Sequence, residues 1–277
     1  PSVRATPVCN ARQTPANATR TMSDPTPSIN PDDAASFAFD VANASSGVKA
    51  GLSVVTPMFQ EAEGAVAHVE EIQMALAALS PTASEVIVVD DGSTDDMAVR
   101  LLAARAGGLD VRVISHHANA GQRRAVRSGV LAARYAIIAT LDGDGQNDPN
   151  DLISLYKSLI SQEATSTGKT LAMVAGERQA RQDGGPKRLA SSIANGVRQR
   201  LLADGARDSG CGLKVFHRAA YLRLPYFDHM HRYMPFLMKR EGFAVRFMPV
   251  GHRARAHGQA KYTNLGRLAV AFRDLIG

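Results

Sequence analysis

Four short apolar runs, each closed by a polar or glycine-containing turn, punctuate the middle of this chain. Leu52-Ser53-Val54-Val55-Thr56, Glu85-Val86-Ile87-Val88-Val89, Val111-Arg112-Val113-Ile114 and Ala136 to Leu141 are rich in β-branched residues and too short for buried helices. Each predicts a strand, the first stopped by Pro57. Between them the period changes. Val66, Val69, Ile72, Leu76 and Leu79 recur at helical spacing, and Gly121 to Tyr135 and Asp151 to Ser161 also predict helices. Ser93 and Asp96 have the spacing of a capping box and predict a helix start after the second strand. Leu171 to Ala175 predicts a further strand. Strand and helix in alternation predict an α/β fold with a mostly parallel sheet covered on both faces. In such a sheet, ligands bind at the carboxyl ends of the strands.

Beyond Gly176 the alternation breaks. Lys187 to Leu202 predicts a basic amphipathic helix with Leu189, Ile193, Val197 and Leu201 on one face. Cys211 to Phe216 and Ala244 to Val250 predict strands, and Tyr262 to Ile276 a final helix. Residues 1–50 are rich in Pro, Ser, Thr, Asn and Ala, too poor in apolar surface to order themselves, and predict a disordered tail. Met22 is the expected natural start, with a processed propeptide as the alternative, and the folded domain is expected over residues 51–277.

Charge narrows the partners. The 277 residues carry a net charge of +6, which implies an anionic partner. Aromatic content of 5% with no Trp supplies few base-stacking platforms, so nucleic acid is not expected. Cys9 and Cys211 make neither a disulfide framework nor a metal pair, which fits a reducing compartment. No run is long and apolar enough to span a bilayer.

The polar residues of interest fall where the strands end: Gln60-Glu61, Asp90-Asp91 and Asp142-Gly143-Asp144-Gly145-Gln146. Asp90 and Asp91 are adjacent acceptors that either cap the helix after Ser93 or face a ligand carrying N–H and O–H donors, and Glu61 reads equally as a first-turn helix acid. Asp142 and Asp144, spaced i, i+2 on an extended chain, point the same way. Hard oxygen ligands of this kind suit Mg²⁺ or Mn²⁺ shared with substrate phosphates.

In order along the chain, these residues resemble the family 2 glycosyltransferases. They are most similar to the branch of dolichyl-phosphate mannosyltransferase and the bacterial polyprenyl-phosphate sugar transferases. Val55-Thr56-Pro57-Met58-Phe59-Gln60-Glu61 looks like the family's hydrophobic-Pro-x-aromatic-Asn-Glu box, with Gln60 in place of Asn. Asp90-Asp91-Gly92-Ser93 matches its Asp-Asp-Gly-Ser motif, and Asn119-Ala120-Gly121 its Asn-x-Gly turn. Asp142-Gly143-Asp144-Gly145-Gln146 takes the place of its metal box. Gly176-Glu177-Arg178, Asp208-Ser209-Gly210-Cys211-Gly212, His231-Arg232-Tyr233 and Gly258-Gln259-Ala260-Lys261-Tyr262 follow in family order.

The resemblance implies a glycosyltransferase A-type fold and an inverting transfer of a hexose, mannose or glucose, from a nucleotide diphosphate sugar. It makes Asp142, Asp144 and Gln146 the Mg²⁺ or Mn²⁺ ligands, and places Pro57, Glu61, Asp90, Asp91, Gly121 and Lys261 on the donor. A polyprenyl phosphate acceptor needs cations rather than a base, because its second pKa of about 6 leaves it deprotonated at neutral pH. Arg178 and Arg188 are the expected acceptor ligands, and Asp208 either orients an arginine or serves as a base. Peripheral attachment to the cytoplasmic face of a membrane is expected. The helix at 262–276 could lie on an anionic leaflet, whereas the helix at 187–202 is read first as packing its apolar face on the sheet, with the leaflet as its alternative. The rival enzyme elongates a saccharide hydroxyl with Asp208 as base; the rival outside catalysis is a nucleotide-sugar-binding module.

Overall fold

The computed structural model describes residues 49–79, 82–161, 168–178, 205, 208, 210–228 and 230–254. β1 (Lys49–Met58), β2 (Ser84–Asp90), β3 (Arg112–Ser115) and β4 (Tyr135–Thr140) alternate with α1 (Ala65–Ala77), α2 (Met97–Ala106) and α3 (Gln122–Ala132). Then come α4 (Pro149–Ile160), β5 (Leu171–Arg178), β6 (Lys214–His217), α5 (Arg218–Arg223), α6 (Met230–Arg240) and β7 (Ala244–Val250). The sheet order is β3-β2-β1-β4-β6-β5-β7. β1 through β4 are mutually parallel, as is β5 with β7, while β6 runs antiparallel to both β4 and β5.

Valines and isoleucines fill the central strands because both faces are covered; Val86 to Val89 are all buried. Leu52, Val54 and Met58 of β1 pack with Val69 and Ile72 of α1, Leu101 of α2 and Leu152, Leu155 and Leu159 of α4. α3 lies on β1 and β2. The helix comes so close that a Cβ on Gly129 would overlap the Val55 side chain.

At the amino ends of the strands, Glu85 is buried, and both its oxygens are used. Oε1 accepts from Ser53 Oγ at 2.8 Å and from the Arg134 amide at 2.7 Å, and Oε2 from Arg112 Nη1 at 2.6 Å. Burial pushes this carboxyl up, but the hydrogen bonds and the Arg112 charge outweigh it and hold it below its ordinary value. This end of the sheet is a structural knot, away from the strand ends where ligands bind.

His217 gives the fold a pH dependence. Burial pushes its imidazole down from 6.5 to about 4. Between those values the unfolded chain takes up a proton that the folded chain refuses. Stability is therefore complete above about pH 6.5 and falls as pH drops toward 4, by at most about 3 kcal/mol from this group. His217→Gln should flatten the fall in melting temperature between pH 7 and pH 5; an unaltered slope would remove His217 from the account.

Several expectations shift. β1 does not stop at Pro57: Pro57 sits in register with Val89 and the strand runs to Met58. A proline lacks a donor but accepts an extended φ near the ladder's end. Ser93 and Asp96 do not form a capping box. α2 starts at Met97 without a side-chain cap, because Ser93 is engaged by Gln60 and Asp90 instead. α3 ends at Ala132 rather than Tyr135, and Tyr135 opens β4. β6 begins at Lys214, and Cys211 to Leu213 form the turn leading into it. The tail expected over residues 1–50 ends short of that bound, because Lys49 and Ala50 already belong to β1. Residues 1–48 and the helices expected at 187–202 and 262–276 lie outside the described residues.

Candidate active site

The carboxyl ends of β1, β2 and β4 meet at one place. Asp90 closes β2, and its Oδ1 accepts the Ser93 amide at 2.9 Å, turning the chain through Gly92. Ser93 Oγ in turn accepts the Gln60 amide at 2.9 Å. Gln60 has a φ of 54°, in the left-handed region that Asn adopts more readily than Gln. The expected Asn box therefore has a conformational reason here, and the departure to Gln keeps the conformation. Glu61 precedes α1, its carbonyl accepting the amides of Gly64 and Ala65.

Asp91 is buried and its carboxylate is used internally. Oδ1 accepts from Ala120 N at 3.0 Å and sits 2.8 Å from His116 Nδ1, while Oδ2 accepts from Gly121 N at 2.8 Å. It thereby fixes the 116–121 turn and the start of α3. Gly121, with a φ of 88°, gives that turn its shape.

The metal box continues from β4. Gln122 Nε2, from the first residue of α3, donates to Asp142 Oδ1 at 2.7 Å. Asp144 Oδ1 accepts the Gln146 amide at 3.2 Å. Gly143 presses on β1, where a Cβ would overlap Met58. Gly212 presses on Asp142 itself: a Cβ there would overlap its carboxyl carbon and both oxygens. Thr140 Oγ1 holds this turn by donating to Gly212 O at 2.8 Å.

Burial, then the charge of Asp144, pushes the Asp142 carboxyl up to about 6. Two carboxylates that repel in poorly solvated surroundings are relieved by a divalent cation, so the residues present fit Mg²⁺ or Mn²⁺. Among the described residues no three His, Cys, Asp or Glu groups form a metal cage. Asp142, Asp144 and the Gln146 side-chain oxygen would supply only part of a coordination shell, leaving positions for phosphate oxygens.

Facing the box from β5 and β6 is a cluster of opposite charges. Arg178, the last residue of β5, grips Asp208 through Nε at 2.5 Å and Nη2 at 2.8 Å. Burial works against the Arg178 charge, but Asp208 holds it above its ordinary value. Lys214 is buried at the start of β6, and its amine donates to Cys211 O. Burial lowers the Lys214 amine, while Cys211, Asp142 and Asp208 draw it back up. Outside the box, Arg253 clasps three segments. Its amide donates to Gln146 O at 2.9 Å, and its guanidinium pairs with Glu71 at 2.9 Å and Asp148 at 2.8 Å.

The structure thus gathers Pro57, Glu61, Asp90, Asp91, Gly121, Asp142, Asp144 and Gln146 around the ends of β1, β2 and β4. Arg178 and Asp208 stand beside them as a pair. Arg188 and Lys261 lie outside the described residues. Sequence reasoning quoted Gly212 within the 208–212 motif without giving it a role, and missed Gln122, Lys214 and Arg253; the side-chain partners of Gln122 and Arg253 are distant in the chain. Lys214 alone carried a signal, a lysine within an otherwise apolar strand.

A sheet of this order, with paired aspartates at its switch point, defines the glycosyltransferase A-type fold. The solved structures agree. Glucosyl-3-phosphoglycerate synthase from Mycobacterium tuberculosis, solved with Mg²⁺ and uridine diphosphate, matches with a TM-score of 0.59 at 18% identity, over 86% of this chain and 80% of that one. Mannosyl-3-phosphoglycerate synthase from Rubrobacter xylanophilus matches with a TM-score of 0.62 at 20% identity, over 86% and 76%. At these identities the likeness is one of fold. The family model described as glycosyl transferase family 2 matches residues 53–224, and the chain belongs to that family. It is 35% identical over 216 residues to a dodecaprenyl-phosphate galacturonate synthase of Rhizobium johnstonii, covering 76% of this chain and 61% of the relative. It is 30% identical over 229 residues to an undecaprenyl-phosphate 4-deoxy-4-formamido-L-arabinose transferase of Edwardsiella ictaluri, covering 81% and 66%. The chain therefore spans about two thirds or less of the length of these relatives.

Proposed function

We propose that this chain is the catalytic domain of an inverting glycosyltransferase that moves a sugar from a nucleotide diphosphate sugar to a polyprenyl phosphate. One observation carries the reading: the Asp142–Asp144–Gln146 box stands beside an arginine already fixed by a carboxylate. Asp208 takes the Nε–Nη2 edge of Arg178 and leaves its Nη1 end for an incoming phosphate. The acceptor's own oxygen is the nucleophile, so the chain has to place it against the sugar carbon rather than deprotonate it. Bound Mg²⁺ or Mn²⁺ would stabilise charge on the departing nucleoside diphosphate. Asp90 and the 116–121 turn held by Asp91 bound the nucleoside side, with Pro57, Glu61 and Gly121 beside them. Arg188 and Lys261 belong to this reading through the resemblance, on acceptor phosphate and donor diphosphate.

The sugar is read as a hexose, mannose or glucose. The two relatives are named for galacturonate and 4-deoxy-4-formamido-L-arabinose. A panel of GDP-mannose, UDP-glucose and UDP-galacturonate, offered with a short-chain polyprenyl phosphate, separates these donors. Attachment is read as peripheral, on the cytoplasmic face. No helix among the described residues is long and apolar enough to cross a membrane.

Arg178 and Asp208 test the acceptor. Arg178→Ala should raise the acceptor KM and lower kcat, a loss of roughly tenfold to a hundredfold in kcat/KM, with donor binding nearly intact. Asp208→Asn should be milder, since it loosens the arginine without removing it. A silent Arg178→Ala, with Asp208→Asn inactive on a sugar hydroxyl, would assign the chain to saccharide elongation.

A further inference from the structure

We propose that the loop carrying Tyr226 and Phe227, together with the arginines of α3, is the surface on which the protein rests on an anionic lipid bilayer. The inference builds on the polyprenyl phosphate acceptor. Tyr226 and Phe227 lie between α5 and α6 and are 37% and 39% exposed, unusual for large aromatic rings on a chain with so few. Phe227 is tilted against Tyr233 with ring centroids 6.0 Å apart. The guanidinium groups of Arg123 and Arg127 stand over the Tyr226 ring at 5.3 and 4.5 Å. Arg123 also pairs with Asp228 on the same loop. α3 itself bears Arg123, Arg124 and Arg127 and no acidic residue. Leu131, 52% exposed in the last turn of α3, lies seven residues after Arg124 on the same helix.

This is the chemistry of a bilayer's headgroup region. A tyrosine ring partitions to that depth, and Arg124, the exposed arginine of α3, is placed to pair with lipid phosphates while Arg123 and Arg127 hold the loop. Rings held in place by arginines give up little freedom when they insert. Position favours the same partner. Gln122, next to Arg123, is bonded to Asp142, so the surface starts one residue from the metal box. An acceptor phosphate lies at headgroup depth, and a site that receives it must present its rim to that layer.

The chain has no Trp, so Phe227→Trp introduces a single emitter into the full chain. With vesicles of phosphatidylcholine and phosphatidylglycerol, its emission should shift to the blue and be quenched by lipids brominated on their acyl chains. With phosphatidylcholine alone, or in high salt, both effects should fade. A triple variant, Arg124→Glu with Tyr226→Ser and Phe227→Ser, should sediment with the mixed vesicles at least about tenfold less than the parent. It should still turn over citronellyl phosphate in solution. The proposal is overturned if vesicles sediment the protein while the emission stays unchanged, if the triple variant binds like the parent, or if the parent does not bind at all. A parent that binds vesicles but ignores citronellyl phosphate, while glycosylating a sugar hydroxyl, removes the acceptor reading and leaves the docking surface standing.

Discussion

Asp142→Asn is expected to lower turnover by about two orders of magnitude or more and, at the same time, to raise the melting temperature of the metal-free protein at pH 7.5. Both effects come from one cause. Burial and Asp144 push the Asp142 carboxyl up to about 6, well above the ordinary 3.8. At pH 7.5 the group is ionised in a place that disfavours the charge, a cost of at most about 3 kcal/mol in the metal-free fold. That cost is full above about pH 6 and fades as pH falls toward the ordinary value. An amide removes the repulsion and keeps an acceptor for Gln122, but it takes away half of the charge that attracts a divalent ion. Asp144→Asn should show a similar loss of turnover, since stabilising a leaving diphosphate is a term of several kcal/mol. The measurements are Mn²⁺ affinity by calorimetry, melting temperature with and without Mn²⁺, and turnover. Full activity of either variant in a chelator would falsify the metal assignment. A lower metal-free melting temperature for Asp142→Asn would show that the carboxylate serves the fold.

Gly212→Ala is expected to be nearly as damaging, although the residue has no side chain of its own. A methyl group there would overlap the Asp142 carboxyl carbon and both oxygens, while Thr140 holds the Gly212 carbonyl in place. The carboxylate has to turn away from the box, and a ligand displaced by about an ångström loses on the order of a hundredfold in rate. Gly210→Ala is the control. A methyl group there meets Arg178 Nη2 at 3.5 Å and Asp208 Oδ1 at 3.6 Å, ordinary contact distances. Weakened Mn²⁺ binding and turnover in Gly212→Ala, with Gly210→Ala close to the parent, is the expected pattern. Equal activity in the two variants would show that the 210–213 segment does not shape the box.

Lys214 and Cys211 fasten this turn on two sides. The buried Lys214 amine, donating to the Cys211 carbonyl, ties the turn to β6, next to the strand that delivers Asp142. Asn147 Nδ2, 3.9 Å from Cys211 Sγ, ties its other side to the end of the box. Arg178, Asp208 and Asp142 thus share one short piece of backbone. Acceptor and donor sides of the proposed reaction are joined there, so changes at the turn should appear in both KM values.

How much of this was legible in the sequence depends on how far apart the cooperating residues are. β1 to β4 follow from short β-branched apolar runs and α1 from a period of 3.6, signals that each segment carries within itself. The carboxylate clusters were legible for the same reason: Asp142 and Asp144 share a direction through their spacing, and the ordered motifs identified the family. Ser93 and Asp96 mark the limit. Their spacing is equally good for a capping box or for a turn closed by Asp90, and the choice fell to Gln60, 33 residues away, whose amide needs the Ser93 oxygen. α5 and α6 were not expected, since Pro235 interrupts the helical pattern inside α6. The reversal of β6 also had no local sign.

By itself, then, the sequence determined the strands, the helices from α1 to α4, the family and the acids at the strand ends, because local patterns and motif spacing act over a few neighbouring residues. Only the tertiary structure decided that Asp91 is spent on the 116–121 turn, that Asp208 grips Arg178, and that Gly212 leaves room for Asp142. Each of those facts joins positions 25 or more residues apart. The raised carboxyl of Asp142 belongs with them, since it comes from burial and from a neighbouring charge, and burial is a property of the packed chain.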